Sequence, residues 1–173
     1  MYIITEHVII YTIQGNPQLL YPRHLTGRII EALSDTPVVV LHGARQTGKS
    51  TLIQMLAKGK HAAQYLTLDD LGTLGAAQRD PEGFVAGLSG PVAIDEIQRV
   101  PELLLTIKAE VDRRRKPGRF LLTGSAHVLS LPRLADTLAG RMEVLTLRPL
   151  SQGEIDRVKE SFLDQLFSDG AIA

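Results

Sequence analysis

Cysteine and tryptophan are absent from this sequence, four phenylalanines and four tyrosines supply its aromatic rings, and neither sign of charge is in excess. Without cysteine there are no disulfides and no thiolate metal sites, which is the pattern expected of a reducing cytoplasm. Lysine and arginine number 19 against 19 aspartate and glutamate. That balance removes any bulk attraction to nucleic acid or to an anionic membrane. Long apolar runs are missing too, and none approaches the ~18 residues that spanning a bilayer requires. The opening stretch MYIITEHVIIYTI has no basic start and is interrupted by Thr5, Glu6 and His7, so it does not read as a signal peptide. Internal repeats and low-complexity tracts are likewise lacking. What is present, 173 residues with 44% apolar and 22% charged, fits one ordinary soluble domain.

From about Arg23 onward, short apolar runs alternate with segments of helical period. Val38 to Leu41 reads as a first buried strand, followed by a helix with Leu52, Ile53, Leu56 and Ala57 on one face. Tyr65 to Leu68 reads as a second strand ending at Asp69 and Asp70. Asp80-Pro81-Glu82 supplies an N-cap, a first-turn proline and an acidic first turn, for a short helix ending at Gly90-Pro91. Val92 to Ile94 is a third strand. Pro101 opens a helix with Leu103, Leu104, Ile107 and Val111 inward, and Pro117-Gly118 closes it. Phe120 to Leu122 and Met142 to Leu147 complete five strands. Buried strands separated by helical crossovers predict an α/β fold, a mostly parallel sheet covered on both faces, with ligands beyond the carboxyl ends of its strands. Residues 1–22 read as an N-terminal extension, 23–150 as the main domain, and 151–173 as the start of a further helical segment with Ser151 as cap and Glu154, Ile155, Val158 and Phe162 on its face.

Gly43-Ala44-Arg45-Gln46-Thr47-Gly48-Lys49-Ser50 matches G-x-x-x-x-G-K-[ST] at every fixed position. The spacing has a physical basis. Backbone N–H groups must wrap a polyphosphate closely, which favours glycine, and the loop must feed a helix whose first turn attracts anions. Lys49 is then the ligand of the β and γ phosphates and Ser50 a ligand of Mg²⁺. The nucleotide-binding segment is therefore read as Gly43 through Thr51, with the side chains of Arg45 and Gln46 facing solvent or a partner subunit.

The third strand ends in Asp95-Glu96. Behind a phosphate-binding loop, the first carboxylate assists Mg²⁺ and the second serves as general base toward water. A chance turn-forming pair is the duller account of such residues taken alone. The strand at 65–68, lying between the loop and this pair, places the chain with hydrolytic P-loop proteins rather than with the kinases.

GARQTGKSTL, YLTLDD, DPEGF, IDEIQRVPELL, GRFLLTGSA and LAGRMEVLTLRPLS together resemble the AAA+-type ATP-binding proteins of bacteria and archaea that pair an ATPase domain with a nuclease-like C-terminal domain of unknown function. The resemblance covers about residues 22–154. It implies a P-loop three-layer sandwich with the five strands in AAA+ order. It assigns phosphate binding to Gly43, Gly48 and Lys49, metal roles to Ser50 and Asp95, and the base to Glu96. Ser125, at the polar end Thr123-Gly124-Ser125, falls where the family carries a γ-phosphate sensor. Arg141 falls where an arginine finger acts on a neighbour's ATP, which implies a homo-oligomer. Ala44 stands where the family usually has proline, and residues 1–21 have no counterpart. The family continues well past PLSQGE, so the chain is expected to be a fragment or a truncated reading frame.

The basic run Arg113-Arg114-Arg115-Lys116, with Arg119, reads as the solvated cationic end of a helix, since no aromatic residues interleave it for base stacking. The five histidines show no metal-ligand spacing. His42, beside the loop, is expected to pack against the strand. No Asn-Lys-x-Asp guanine-reading motif occurs, which favours adenine. The function expected is Mg²⁺-dependent ATP hydrolysis in the cytoplasm, with no membrane and no nucleic-acid partner. The competing readings are a nucleotide-gated binding module with negligible turnover and a small-molecule kinase.

Overall fold

The computed structural model describes residues 3–5, 8–13, 16–125 and 138–158, with side chains from residue 20 onward. Among these, residues Leu25–Pro149 form one compact unit, and those before and after it group into a second.

In the larger unit, α1 (Leu25–Asp35) leads into β4 (Val38–Gly43), α2 (Lys49–Lys58), β5 (Gln64–Thr67), α3 (Leu71–Arg79) and α4 (Pro81–Ala86). Then come β6 (Val92–Asp95), a 3₁₀ turn (Ile97–Arg99), α5 (Leu103–Arg113), β7 (Phe120–Ser125) and β8 (Met142–Thr146). The five strands lie in the order β5-β6-β7-β4-β8, and every pair is parallel. Renumbered within the sheet, that is 2-3-4-1-5, with β4, the strand before the loop at residues 43–50, in the interior.

Strand alternation builds the layers. Val38, Val40, Val92, Ile94, Phe120 and Leu122 pack on one face with Ile97, Leu103, Leu104, Ile107 and Val111. Val39, Leu41, Ala93 and Leu121 pack on the other with Ile29, Leu33, Leu52, Ile53 and Leu56. Both faces are covered, which is why the strands are apolar throughout instead of alternating with polar residues. The helix faces expected at 52–57 and 103–111 are the buried ones.

Boundaries differ from the expectations where polar residues extend an element. β4 and β7 continue past their apolar cores to Gly43 and Ser125, because their ladder pairs Leu41 with Thr123, His42 with Gly124 and Gly43 with Ser125. The second strand is Gln64–Thr67, one residue earlier than read. The helix opened by Asp80, whose carboxylate accepts from the Gly83 N–H at 2.8 Å, ends at Ala86 and not at Gly90.

In the smaller unit the expected extension contains an antiparallel meander, β1 (Ile3–Thr5), β2 (Val8–Ile13) and β3 (Asn16–Leu20). At its other end, α6 (Gln152–Asp156) starts with a capping box between Ser151 and Glu154. It stops when Arg157 adopts φ 58°, so Val158 lies beyond the helix, and Phe162 lies outside the described residues. Glu154 is buried, yet bonds from the His24 and Ser151 N–H groups and from Arg23 hold its carboxyl below the usual range.

Gly43 ends β4 where the chain leaving β8 still runs beside it: the Leu147 N–H donates to the His42 carbonyl at 2.7 Å. A Cβ on Gly43 would run into the Leu147 carbonyl oxygen, which is backbone and cannot swing aside. Gly75, inside α3, has open space around it. Gly43→Ala should therefore lose roughly 1–3 kcal/mol by overpacking. Gly75→Ala should gain about 0.5–1 kcal/mol from helix propensity. Urea denaturation midpoints of the two variants, moving in opposite directions from wild type, check this.

Candidate functional site: the carboxyl edge of the sheet

A cleft of 520 Å³ opens at the carboxyl edge of the larger unit, lined by Arg45, Gln46, Gly48, Lys49, Ser50, Thr51, Asp69 and Glu96. Its floor is the loop between β4 and α2. Gln46 (φ 64°) and Gly48 (φ 88°) take left-handed backbone, which turns successive peptides of the loop. Gly48 caps α2 without a side-chain bond. The contrast with α3 and α4 is informative, since Asp70 and Asp80 close those helices by accepting first-turn N–H bonds. The first turn of α2 carries no acidic residue and faces the cleft, so its N–H groups and dipole are available to an anion. Lys49 is 6% exposed as a residue, and its ammonium donates to the loop carbonyls of Gly43 at 3.1 Å and Ala44 at 2.7 Å. Thr47 is turned inward, its hydroxyl bonding the Ala44 carbonyl at 3.0 Å. Arg45 and Gln46 are exposed.

The acidic side of the cleft comes from β6. Asp95 is 2% exposed, and a buried carboxylate must be bonded to persist. One oxygen receives the Thr123 hydroxyl from β7, and the other receives the Tyr65 hydroxyl from β5 at 3.0 Å. Thr123 Oγ1 also accepts the Glu96 N–H at 3.1 Å. Glu96 has φ 62°, a costly conformation for a residue with a Cβ, and it carries its carboxylate to the cleft rim. There Gln98 Nε2 donates to Glu96 Oε2. Arg99, from the same turn, pairs with Asp69 at 2.6 Å.

The residues expected at the site divide accordingly. Gly43, Ala44, Arg45, Gln46, Thr47, Gly48, Lys49, Ser50, Thr51, Asp95 and Glu96 converge on this edge. Ser125 ends β7 beside Gly43, and its N–H donates to Gln98 Oε1 at 3.3 Å. Arg141 is elsewhere: it precedes β8 at the amino edge, a strand length of roughly 17 Å from Gly43 at the usual rise. It donates to the Asp112 carboxylate and, at 2.9 Å, to the Ala139 carbonyl. Tyr65, Gln98 and Asp69 carry no binding or catalytic expectation from their sequence context, and Thr123 carries one only as part of the strand end Thr123-Gly124-Ser125. For Gln98 the available signal was its place two residues after Glu96, and for Thr123 its place beside Ser125.

Two other expectations meet their outcome nearby. His42 packs across to β8, its Nε2 bonded to the Thr146 hydroxyl at 2.7 Å, and burial followed by the charge of Lys49 holds its pKa down. Of the basic run, Arg113 pairs with Glu110, while Arg119 turns inward to the Leu88 carbonyl at 2.7 Å and lies 4.6 Å from the Phe120 ring centre. Among the described residues no cluster of three or more His, Cys, Asp or Glu could hold a metal, and no helix is long and apolar enough to cross a membrane.

A family model described as "AAA domain" matches residues 35–156. Two curated relatives, uncharacterized proteins of Mycobacterium bovis and Mycobacterium tuberculosis, are each 36% identical over 155 residues, covering 89% of this chain and 34% of the relative. The chain thus spans about a third of their length. Among solved structures, a Pif1 helicase from Candida albicans aligns with a TM-score of 0.49 and 15% identity, over 85% of this chain and 43% of that one. PCH-2 from C. elegans aligns with a TM-score of 0.42 and 19% identity, over 76% and 44%.

The Tyr65–Asp95 bond has a spectroscopic consequence. Burial first, and then the charge of Asp95 against the opposing pull of Gln54, push the Tyr65 hydroxyl up to about 12. The folded state holds that proton more tightly than the unfolded chain does. Its contribution to stability is therefore intact below pH 10 and is lost as pH climbs from about 10 to about 12. Alkaline absorbance titration should show a late tyrosine component with a midpoint near 12, absent in Tyr65→Phe and shifted down in Asp95→Asn. A Tyr65→Phe curve that matches wild type refutes the assignment.

Proposed function

The chain belongs to the AAA domain family, and on that footing we propose that its cleft binds ATP with Mg²⁺ and hydrolyses it. The observation that carries this reading is the meeting of Lys49, the first turn of α2 and Glu96 around one cleft, with Asp95 tied to Glu96 through the Thr123 hydroxyl. Donors for a polyphosphate and a carboxylate for its attacking water share one space.

In this reading the first-turn N–H groups of α2 cradle the phosphates, and Lys49 exchanges the Gly43 and Ala44 carbonyls for β and γ oxygens. The residues fit Mg²⁺ in its usual role, where phosphates and water supply most ligands. Ser50 would hold it directly. Asp95 would do so through water, since hydroxyls already occupy both of its oxygens. Bound there, the ion neutralises charge developing on the transferred phosphate. Glu96 accepts the proton of the water that attacks the γ phosphorus as the bond to the ADP oxygen breaks. Ser125, beside Gly43, would read the γ phosphate. Arg141, at the opposite edge, serves no role in its own cleft. Its surface pair with Asp112 is exchangeable, and it is proposed to reach the ATP of an adjoining copy of the chain.

Titration calorimetry with phosphate release tests the core of this. Lys49→Ala is expected to give no heat of ATP binding. Glu96→Gln should bind ATP but turn it over at least about a hundredfold more slowly, the low end for losing a general base. ATP binding without phosphate release in wild type would instead favour a nucleotide-gated binding module.

The trans role of Arg141 makes its own forecast. Specific activity of wild type should rise with protein concentration, since a finger supplied in trans is worth roughly three to five decades of rate. Arg141→Ala should stay flat and low, and mixing it with Lys49→Ala should recover part of the activity. Concentration-independent turnover shared by wild type and Arg141→Ala would remove the finger from this chain.

A further inference from the structure

We propose that Gln98 is a positioning residue for this reaction: its carboxamide ties the Glu96 carboxylate to the backbone of Ser125, fixing the base against the strand end where the terminal phosphate is read. The proposal rests on the hydrolytic reading above and deepens it.

A glutamate carboxylate sits at the end of three rotatable bonds, and a base that wanders is a poor base. Strand geometry alone does not fix Glu96, because the chain leaves β6 there at φ 62°. The turn that follows is anchored by Ile97, which is fully buried among Val100, Leu103 and Leu104. That anchor returns Gln98 toward the strand ends. Its Nε2 donates to Glu96 Oε2, and its Oε1 accepts the Ser125 N–H at 3.3 Å. The orientation of the amide follows from its partners. An ionised carboxylate only accepts and a backbone N–H only donates, so a single flip of the carboxamide satisfies both. Glu96 is thereby held twice to β7, at its N–H by Thr123 and at its carboxylate by Gln98. Arg99 extends the same turn to Asp69 on the far lining of the cleft. The turn thus links all three strand ends on the acidic side.

The test separates binding from turnover in the 173-residue chain. Gln98→Ala should lower kcat roughly ten- to a hundredfold, with ATP affinity within about twofold of wild type. Gln98→Glu keeps the length and the acceptor for Ser125 but offers no N–H to Glu96, so it should lose as much. It carries the comparison should Gln98→Ala fail to fold. Because Gln98 acts through Glu96, adding Gln98→Ala to Glu96→Gln should slow the enzyme no further. Wild-type kcat in both Gln98 variants, a loss of ATP affinity in place of kcat, or multiplicative losses in the double variant would each overturn the proposal. A wild-type chain that binds ATP and releases no phosphate would instead bring down the hydrolytic reading, and this inference with it.

Discussion

The hydroxyl of Thr123 is the point on which the site depends. It donates to the buried Asp95 carboxylate and accepts the N–H of Glu96, so one atom ties two strands together where both leave the sheet. A polar side chain buried at 2% exposure needs hydrogen-bond partners, and Tyr65 supplies the second from the opposite neighbour. With β5, β6 and β7 locked at their carboxyl ends, the backbone at Glu96 can hold an unfavourable φ. The turn that leaves it then aims Gln98 and Arg99.

Stability and function are spent in different parts of the larger unit. Two packed faces bury the strands, under α1 and α2 on one side and α3, α4 and α5 on the other, and α3 and α4 start with aspartate caps. At the carboxyl edge the rules relax. α2 starts without a side-chain cap, Gln46 and Glu96 take left-handed backbone, and Lys49 is held against carbonyls of its own loop. Local departures of this kind concentrate where a ligand is to be gripped, and the surrounding core maintains them. Gly43 serves both needs. It ends β4 next to the loop, and having no Cβ it leaves room for the backbone carbonyl of Leu147 beside it.

Much of this was legible in the residues, because the relevant physics is local. Apolar periodicity marked the five strands and the buried faces of α2 and α5, and Asp80-Pro81 marked the start of α4 through capping chemistry that spans three residues. The loop from Gly43 to Ser50 announced itself because phosphate binding requires its glycines and lysine at fixed spacing. Element ends were less legible. β4 and β7 run on through His42-Gly43 and Thr123-Gly124-Ser125 only because the two pair with each other, and no window of one strand contains its partner. The meander of residues 3–20 was missed for the same reason, its pairing being set by register between strands.

The sequence by itself determined the kind of fold, the glycine-rich loop proposed to bind phosphate and the carboxylate pair, since each is written in contiguous residues. Tertiary structure alone decided what those carboxylates touch. Thr123 stands 28 residues from Asp95, and Tyr65 stands 30 away, so neither bond is visible until parallel strands bring them side by side. Arg141 differs, since the resemblance already assigned it to a neighbour's ATP, and its place at the amino edge, bonded to Asp112, is away from the cleft of its own chain. In a parallel sheet each crossover returns the chain to the opposite edge, so neighbours in sequence part company while distant polar strand ends meet.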